Sequence, residues 1–563
     1  MLVERRAVEC SAVNVTYPLL QQGEAAPEGA ADTAHDVRGV VLHAPARGSL
    51  VALALLFILL VLGTRIPFRS RYLFAWDSAN FALALQQYSV ALHQPQPPGY
   101  ILYVASAWLV ARVVSDPNAA YVWLSIFASA GSVAFLLVLG TRLFGRFAGI
   151  AAAALLVTDS NFWGHGEVAY PYAFLSFFAT LAAWLGAETR WGGRDLSVPM
   201  AAVIAVGAGF RQDLLAFLLP LWLYCCIAPA PRQPWQARQV VLRRLLPGLA
   251  VIAAIVTAWY VPMVSLSGGW EAYSRVSGGY FVYWIGRSSV FAQFFRNIWS
   301  NLREVMTLLY EGIGLALVPA VYGIGRFFSP QRLVRDERML FLSIWIAPAA
   351  FFYVSVHIGN PGYVLSFMPA VLIYVAAALE DLAQDTVIAI RLALGRLAER
   401  VWWLRPGAPP ALALAILLTA GLASVNTVLF FVSERAGRYR EIRAIDRTLE
   451  RQIATIRRDY PPESTVLVSY DRSRQLRYYL PEYTIWPLFE GYDPGYQQHR
   501  TTVTVPAHVR YVVFPDLGRN TSDLKLGVTE RDLGDQVKLT VITPQPGDTL
   551  VYGWNYATLR PRN

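Results

Sequence analysis

Four short stretches hold the residues whose types and spacing could do chemistry. The first, WDSANFALALQQYSVALHQPQPPGYILY over 76–103, opens on Asp77. A carboxylate fixed at a helix start can take a proton from an attacking hydroxyl. The same residue at the same place also serves as an N-cap, accepting from first-turn amides. The second stretch, NFWGHGEVAYPY over 161–172, sets His165 and Glu167 two residues apart. Together with Asp77 they supply one imidazole and two carboxylates, a set that could hold a divalent metal and that is equally met among solvated loop residues. The third, GFRQD over 209–213, puts Arg211 and Asp213 into a very short turn. A guanidinium meets phosphate oxygens bidentately, and it also snorkels from an apolar helix end to the interface. A last turn, VHIGNPGYVLSF over 356–367, adds His357, Asn360 and Tyr363.

The elements that must position these residues are membrane helices. The chain has 563 residues, 55% of them hydrophobic and 15% charged, with a mean hydropathy of +0.39. Soluble domains run at about 45–50% apolar and about 25% charged. The excess falls into apolar blocks at 50–65, 99–114, 119–140, 147–160, 168–187, 197–209, 214–228, 245–266, 304–325, 339–357, 361–380 and 410–432. A spanning helix needs about 20 such residues. The net charge of +10 is carried almost wholly by arginine, since Lys525 and Lys538 are the only lysines. In this setting it marks cytoplasmic loops and excludes nucleic acid as a partner.

Charge bias also sets the orientation. If 99–114 does not span and the N-terminus is cytoplasmic, the inner loops 141–146, 188–195, 229–244, 326–338 and 384–405 hold sixteen arginines. The outer loops then hold only Arg211, Arg275, Arg287, Arg296 and Arg303. This ratio fits the positive-inside rule, and letting 99–114 span inverts it. The expectation is a polytopic α-helical membrane protein with about eleven spanning helices over 49–432, a first outer loop at 66–118 and a large outer loop at 267–303. Phe81, Leu85, Tyr88 and Leu92 recur on one face, so 78–92 reads as an amphipathic helix lying on the membrane surface. The candidate residues then all fall on the outer leaflet.

Residues 433–563 are different material. Ile442, Ile445, Leu449, Ile453 and Ile456 recur at helical spacing, and Pro461 and Pro462 end that helix. The runs TVLVSY (465–470), YTIWPL (483–488), HVRYVVF (508–514) and VKLTVIT (537–543) read as strands, with a short helix at SRQLRYYL (473–480). An α/β domain outside the membrane is expected. Residues 1–48 are polar, lack the apolar run of a signal peptide and read as a disordered cytoplasmic tail. Cys10, Cys225 and Cys226 offer no disulfide framework or zinc spacing. No phosphate-binding glycine loop stands in a strand–turn–helix setting.

The first helix, the long outer loop opening on an acidic residue and PPGYILY (97–103) together resemble the GT-C class of membrane glycosyltransferases. TRLFGRFAGIAAAALLVTDSNFWGHGEVAY (141–170) is similar to that class's basic turn, third helix and second outer loop, and HIGNPGYVLSFMPAVLIYVAAAL (357–379) to its late Tyr/Pro-containing helix. The resemblance covers roughly 50–385, with the protein O-mannosyltransferase-like and aminoarabinose-transferase-like branches nearest. It implies a polyprenyl-phosphate-linked sugar as donor and transfer at the outer face of the plasma (inner) membrane, the C-terminal domain periplasmic or extracellular. The acceptor would be a protein, a glycan or a lipid. Asp77 would be the base of the first outer loop, although Ser78 stands where many members carry a second acid. Arg211 and His357 would face the lipid phosphate. Tyr100, His165, Glu167, Asp213, Asn360 and Tyr363 would line the substrate site, with a divalent metal possible at Asp77, His165 and Glu167.

Two rival readings make different demands. A lipid or solute transporter or flippase with an outward vestibule wants ionisable groups at the bilayer midplane, whereas the acidic residues here lie at the edges of apolar blocks. A non-catalytic scaffold asks nothing of Asp77.

Overall fold

The computed structural model describes residues 42–43, 47–227, 234–327, 336–395, 410–435, 437–469, 471–487, 501–516, 528–553 and 556–560. The expected tail 1–48 lies almost entirely outside them.

Six helices among the described residues are long and apolar enough to cross a bilayer: Gly48–Phe68, Pro117–Phe144, Trp235–Leu266, Phe294–Gly325, Glu337–Ser355 and Pro410–Val432. The expected eleven is not reached on length and apolarity alone. The blocks at 147–160, 197–209 and 214–228 form helices Arg146–Thr158, Ser197–Phe210 and Asp213–Cys226 of 13 or 14 residues, only about 20 Å long at 1.5 Å per residue. The 99–114 block yields Ile101–Val110, 10 residues and about 15 Å, too short to span.

Small residues let the bundle close. A Cβ on Gly140 would stand 2.9 Å from the Cα of Gly149, so helices Pro117–Phe144 and Arg146–Thr158 touch backbone to backbone, the packing that substitutes for the hydrophobic effect in lipid. Because consecutive helices alternate in direction, their ends sort into two groups. At one end Arg142 pairs with Glu188 at 2.8 Å, Arg190 with Glu337 at 2.9 Å and Arg244 with Asp195 at 2.9 Å. At the other end lie the turns that carry every candidate site residue.

Two readings of the outer segments are corrected. The helix of the first loop runs Trp76–Gln86 and stops short of Leu92, ahead of a 3-10 turn at Val90–Leu92. It is not a half-exposed surface helix, since seven consecutive residues, Ser78 to Ala84, are buried. The bundle covers one side and the short helix Ser473–Tyr479 of the C-terminal region covers the other. The segment 267–303 is helical rather than an open loop, forming Gly269–Ser288 and the start of Phe294–Ile313.

The C-terminal region opens with helix Tyr439–Asp459, whose Ile442, Leu449, Ile453 and Ile456 are buried as their spacing requires. The strands are β1 (Thr465–Ser469), β2 (Thr484–Pro487), β3 (Thr501–Thr504), β4 (Tyr511–Phe514), β5 (Val528–Asp532), β6 (Lys538–Ile542), β7 (Thr549–Gly553) and β8 (Tyr556–Arg560). One sheet has the order β2-β1-β4-β6-β5, with β1 parallel to both neighbours. The fully buried run of β1 fits that central, two-sided place. A second, antiparallel sheet has the order β3-β7-β8. The runs expected as strands became β1, β2, β4 and β6; β3, β5, β7 and β8 were not foreseen.

Candidate active site

Arg211 is the last residue before a reversal of direction. Helix Ser197–Phe210 ends on it in an extended conformation, and helix Asp213–Cys226 begins two residues later. That turn aims Arg211 back into the protein, where it is only 7% exposed. Its Nε donates to the Asp213 carboxylate at 2.9 and 3.1 Å. Its guanidinium carbon lies 4.1 Å from the ring centroid of Tyr363 and 5.0 Å from that of Tyr172. Cation–π contact and an ion pair thus fix the fork in place. The Nη1 group is buried and has no hydrogen-bond partner among the described residues. A buried donor without a partner costs about 1–3 kcal/mol, and an anion reaching this nitrogen would remove that cost.

The aromatic wall depends on a close approach. Gly362 sits where any Cβ would strike the ring of Tyr172, and its amide is held by Asn360 Oδ1 at 2.9 Å. This lets Tyr363 lean on Tyr172 at 5.7 Å and stack on Tyr353 at 5.5 Å. His357 hydrogen-bonds through Nδ1 to Ser288 Oγ at 2.9 Å. Burial, helped by the Arg211 charge, pulls its imidazole down to about 4, so it is neutral at physiological pH.

The PPGY turn delivers Tyr100. The carbonyl of Pro98 accepts from Gln212 Nε2 at 3.1 Å and Tyr273 Oη at 3.2 Å, and that of Gly99 from Tyr88 Oη at 2.7 Å. Pinned there, Tyr100 takes a left-handed conformation with φ 47° and is buried within the electrostatic reach of Arg211, Tyr363, Asp77 and Asp213.

Asp77 faces the same group. It is not a cap: the N-cap of helix Trp76–Gln86 is Ala75, with no side-chain cap bond. Among the described residues its carboxylate takes no hydrogen bond from the protein. It keeps part of its surface open to solvent. Burial pushes its pKa up to about 6, and Arg211 acts in the opposite direction. A carboxylate without protein donors, half-buried and titrating near neutrality, is suited to accept a proton.

His165 and Glu167 do not join this group as ligands. His165 bonds the Asn161 carbonyl at 2.8 Å through Nδ1 and Asn360 Oδ1 at 3.3 Å through Nε2, so both ring nitrogens are engaged. Its place is behind the wall, its ring 5.0 Å from that of Tyr172. Glu167 is fully buried, accepts from Trp163 Nε1 at 2.6 Å and has Arg65 as its principal countercharge. No three His, Cys, Asp or Glu side chains among the described residues converge on a metal position. The Asp77, His165, Glu167 metal set therefore does not fit this structure. Sequence reasoning missed Tyr172 and Tyr353, aromatic residues that look like any others in apolar helices until their neighbours are known.

No family model matches the sequence, and no curated protein matches it. The fold has relatives. The crystal structure of ArnT from Cupriavidus metallidurans bound to undecaprenyl phosphate superposes with a TM-score of 0.55 at 13% identity, over 89% of this chain and 100% of that one. The apo state of the same protein gives 0.55 at 14% identity, with the same coverage. The oligosaccharyltransferase AglB from Archaeoglobus fulgidus, in complex with an inhibitory peptide and a dolichol-phosphate, is similar at a TM-score of 0.48 and 12% identity, over 83% of this chain and 69% of that one. The chain is a multi-pass membrane protein with the GT-C fold.

Proposed function

We propose that this protein is a glycosyltransferase that moves a sugar from a polyprenyl-phosphate carrier to an acceptor hydroxyl at the outer face of the plasma membrane. The observation that carries the reading is the buried Nη1 of Arg211, unpartnered among the described residues, within electrostatic reach of the Asp77 carboxylate. One group asks for an anion and the other for a proton, at the end of the bundle away from the arginine-rich turns. An undecaprenyl phosphate bound to a protein of the same fold supports the choice of donor.

The acceptor oxygen attacks the anomeric carbon, and the bond from that carbon to the phosphate oxygen breaks. The phosphate leaves with the electron pair, through an oxocarbenium-like state. Arg211, held by Asp213, Tyr172 and Tyr363, donates to the phosphate as its charge grows. His357, its neutral ring fixed by the hydrogen bond between Nδ1 and Ser288 Oγ, borders the same phosphate. Asp77 takes the proton of the acceptor hydroxyl. Tyr100 and Tyr363 border the sugar between them, with Asn360 and His165 supporting the wall. The acceptor is a protein, glycan or lipid hydroxyl.

The test is transfer in proteoliposomes from a panel of polyprenyl-phosphate sugars to simple hydroxyl acceptors. Loss of sugar from at least one carrier, dependent on Arg211, is expected. Transmembrane movement of intact carrier without sugar release would contradict the reading.

A further inference from the structure

The segment that leads from the first spanning helix to Asp77 has no regular structure, yet each residue from Phe68 to Leu73 has a backbone group held by a distant part of the chain. Phe68 and Arg69 offer their carbonyls to Arg443 Nη2, at 2.8 and 2.6 Å. Ser70 donates to the Glu167 carbonyl at 2.9 Å and accepts from Asn118 Nδ2 at 3.1 Å. Arg71 and Tyr72 donate their amides to Asp446, at 3.1 and 3.0 Å. Leu73 donates to Tyr479 Oη at 2.8 Å. Arg443, Asp446 and Tyr479 all belong to the C-terminal region, and Arg443 and Asp446 also pair with each other at 3.2 Å. Asp446 is 4% exposed. The ring of Tyr72 packs into the core of the same region, 5.4 Å from Tyr479.

We infer that Asp446 and Tyr479 are positioning residues for Asp77, so that the C-terminal domain is a working part of the active site. This rests on the glycosyltransferase reading for what Asp77 does. The bonds converge on the one backbone segment that ends, four residues after Leu73, at the proposed base. The helix carrying Asp77 has no side-chain cap of its own, so its entry is held from outside, by the C-terminal domain. A loop released from such a clamp lets a carboxylate drift by about 1 Å, enough for roughly a 10²-fold loss of rate.

The variants Asp446→Ala, Asp446→Asn and Tyr479→Phe distinguish positioning from mere folding. Asn keeps an oxygen where both amides point, and Phe keeps the ring packing. Turnover is expected to fall by about 10- to 100-fold in Asp446→Ala and less in Tyr479→Phe. Donor affinity should stay within about threefold, because Arg211 is untouched. Asp446→Asn should recover most of the rate, and the pH midpoint should leave about 6 in the impaired variants. Wild-type turnover in Asp446→Ala, or no recovery by Asn, would overturn the inference, as would parallel loss of donor binding in Tyr479→Phe. Hydrogen exchange of peptides covering 76–86 gives a second readout without activity. It should accelerate in Asp446→Ala and Tyr479→Phe, and unchanged exchange in both overturns the clamp. A wild-type protein that transfers no sugar, with exchange responding as described, would sink the glycosyltransferase reading alone.

Discussion

The guanidinium of Arg211 lies 4.1 Å from the ring centroid of Tyr363, while its buried Nη1 nitrogen has no partner among the described residues. The ring and the Asp213 carboxylate together fix where that nitrogen points. A side chain that merely snorkelled would leave its head in water; this one is 7% exposed.

Replacing Arg211 by Ala is therefore expected to weaken donor use by about 10- to 150-fold, the equivalent of losing one charge-assisted hydrogen bond worth about 1.5–3 kcal/mol. Arg211→Lys should rescue little, since lysine lacks both the fork and the flat face. Donor titration against purified protein checks both variants. Near-normal affinity in Arg211→Ala would return Arg211 to a structural role.

The aromatic wall makes a separate prediction. A methyl on Gly362 must displace Tyr172, and with it one face of the Arg211 site. Gly362→Ala should lower donor affinity about tenfold while the protein still purifies as a monodisperse species. Tyr363→Phe keeps the ring and should bind donor as the wild type does; Tyr363→Ala should not.

Asp77 fixes the pH dependence. A base must be deprotonated, and burial raises this one to about 6. kcat/KM should thus climb through pH 6 and level off above about 7. His357, held near 4, adds no limb in that range. The same shift has a stability consequence. A folded pKa above the unfolded one means that the charged form costs stability above pH 6, and that this cost fades as pH falls from about 6 to 3.8. Asp77→Asn should accordingly melt higher than the wild type at pH 7.5, with the gap closing near pH 4.

Orientation has its own test. Cysteine in place of Arg477, an exposed residue of the short C-terminal helix, in a background lacking Cys10, Cys225 and Cys226, should react with an impermeant label from outside intact cells. Cysteine at the exposed Arg243, at the opposite end, should react only after permeabilisation. The reverse pattern would contradict the arginine-based topology.

What was legible in the sequence follows from which signals are local. Apolar length marked the membrane helices, and arginines in short turns marked one end of the bundle. Asp77, Arg211, Tyr363 and His357 could be grouped from the sequence, since each sits in a short polar turn beside an apolar block. The roles of His165 and Glu167 were not legible, because their partners Asn360 and Arg65 come from distant segments that packing brings to them. Asp77 looked like a cap because caps are recognised by residue type, while the backbone puts Ala75 at that position. The hold of Asp446 and Tyr479 on residues 71–73 had no sequence signal at all: the two sides are more than 370 residues apart. Among the unforeseen strands, Thr501–Thr504 and Val528–Asp532 carry too few apolar residues to show a two-residue period.

The central claim is that Asp77 takes the acceptor's proton, and Asp77→Asn measures it most directly. Asn has the same shape, and no capping bond is lost, since Asp77 makes none. Transfer and donor affinity should be determined separately on purified, monodisperse protein. The account predicts a fall in turnover of about 10²–10⁴-fold with donor binding largely kept. Full transfer activity in Asp77→Asn would contradict it.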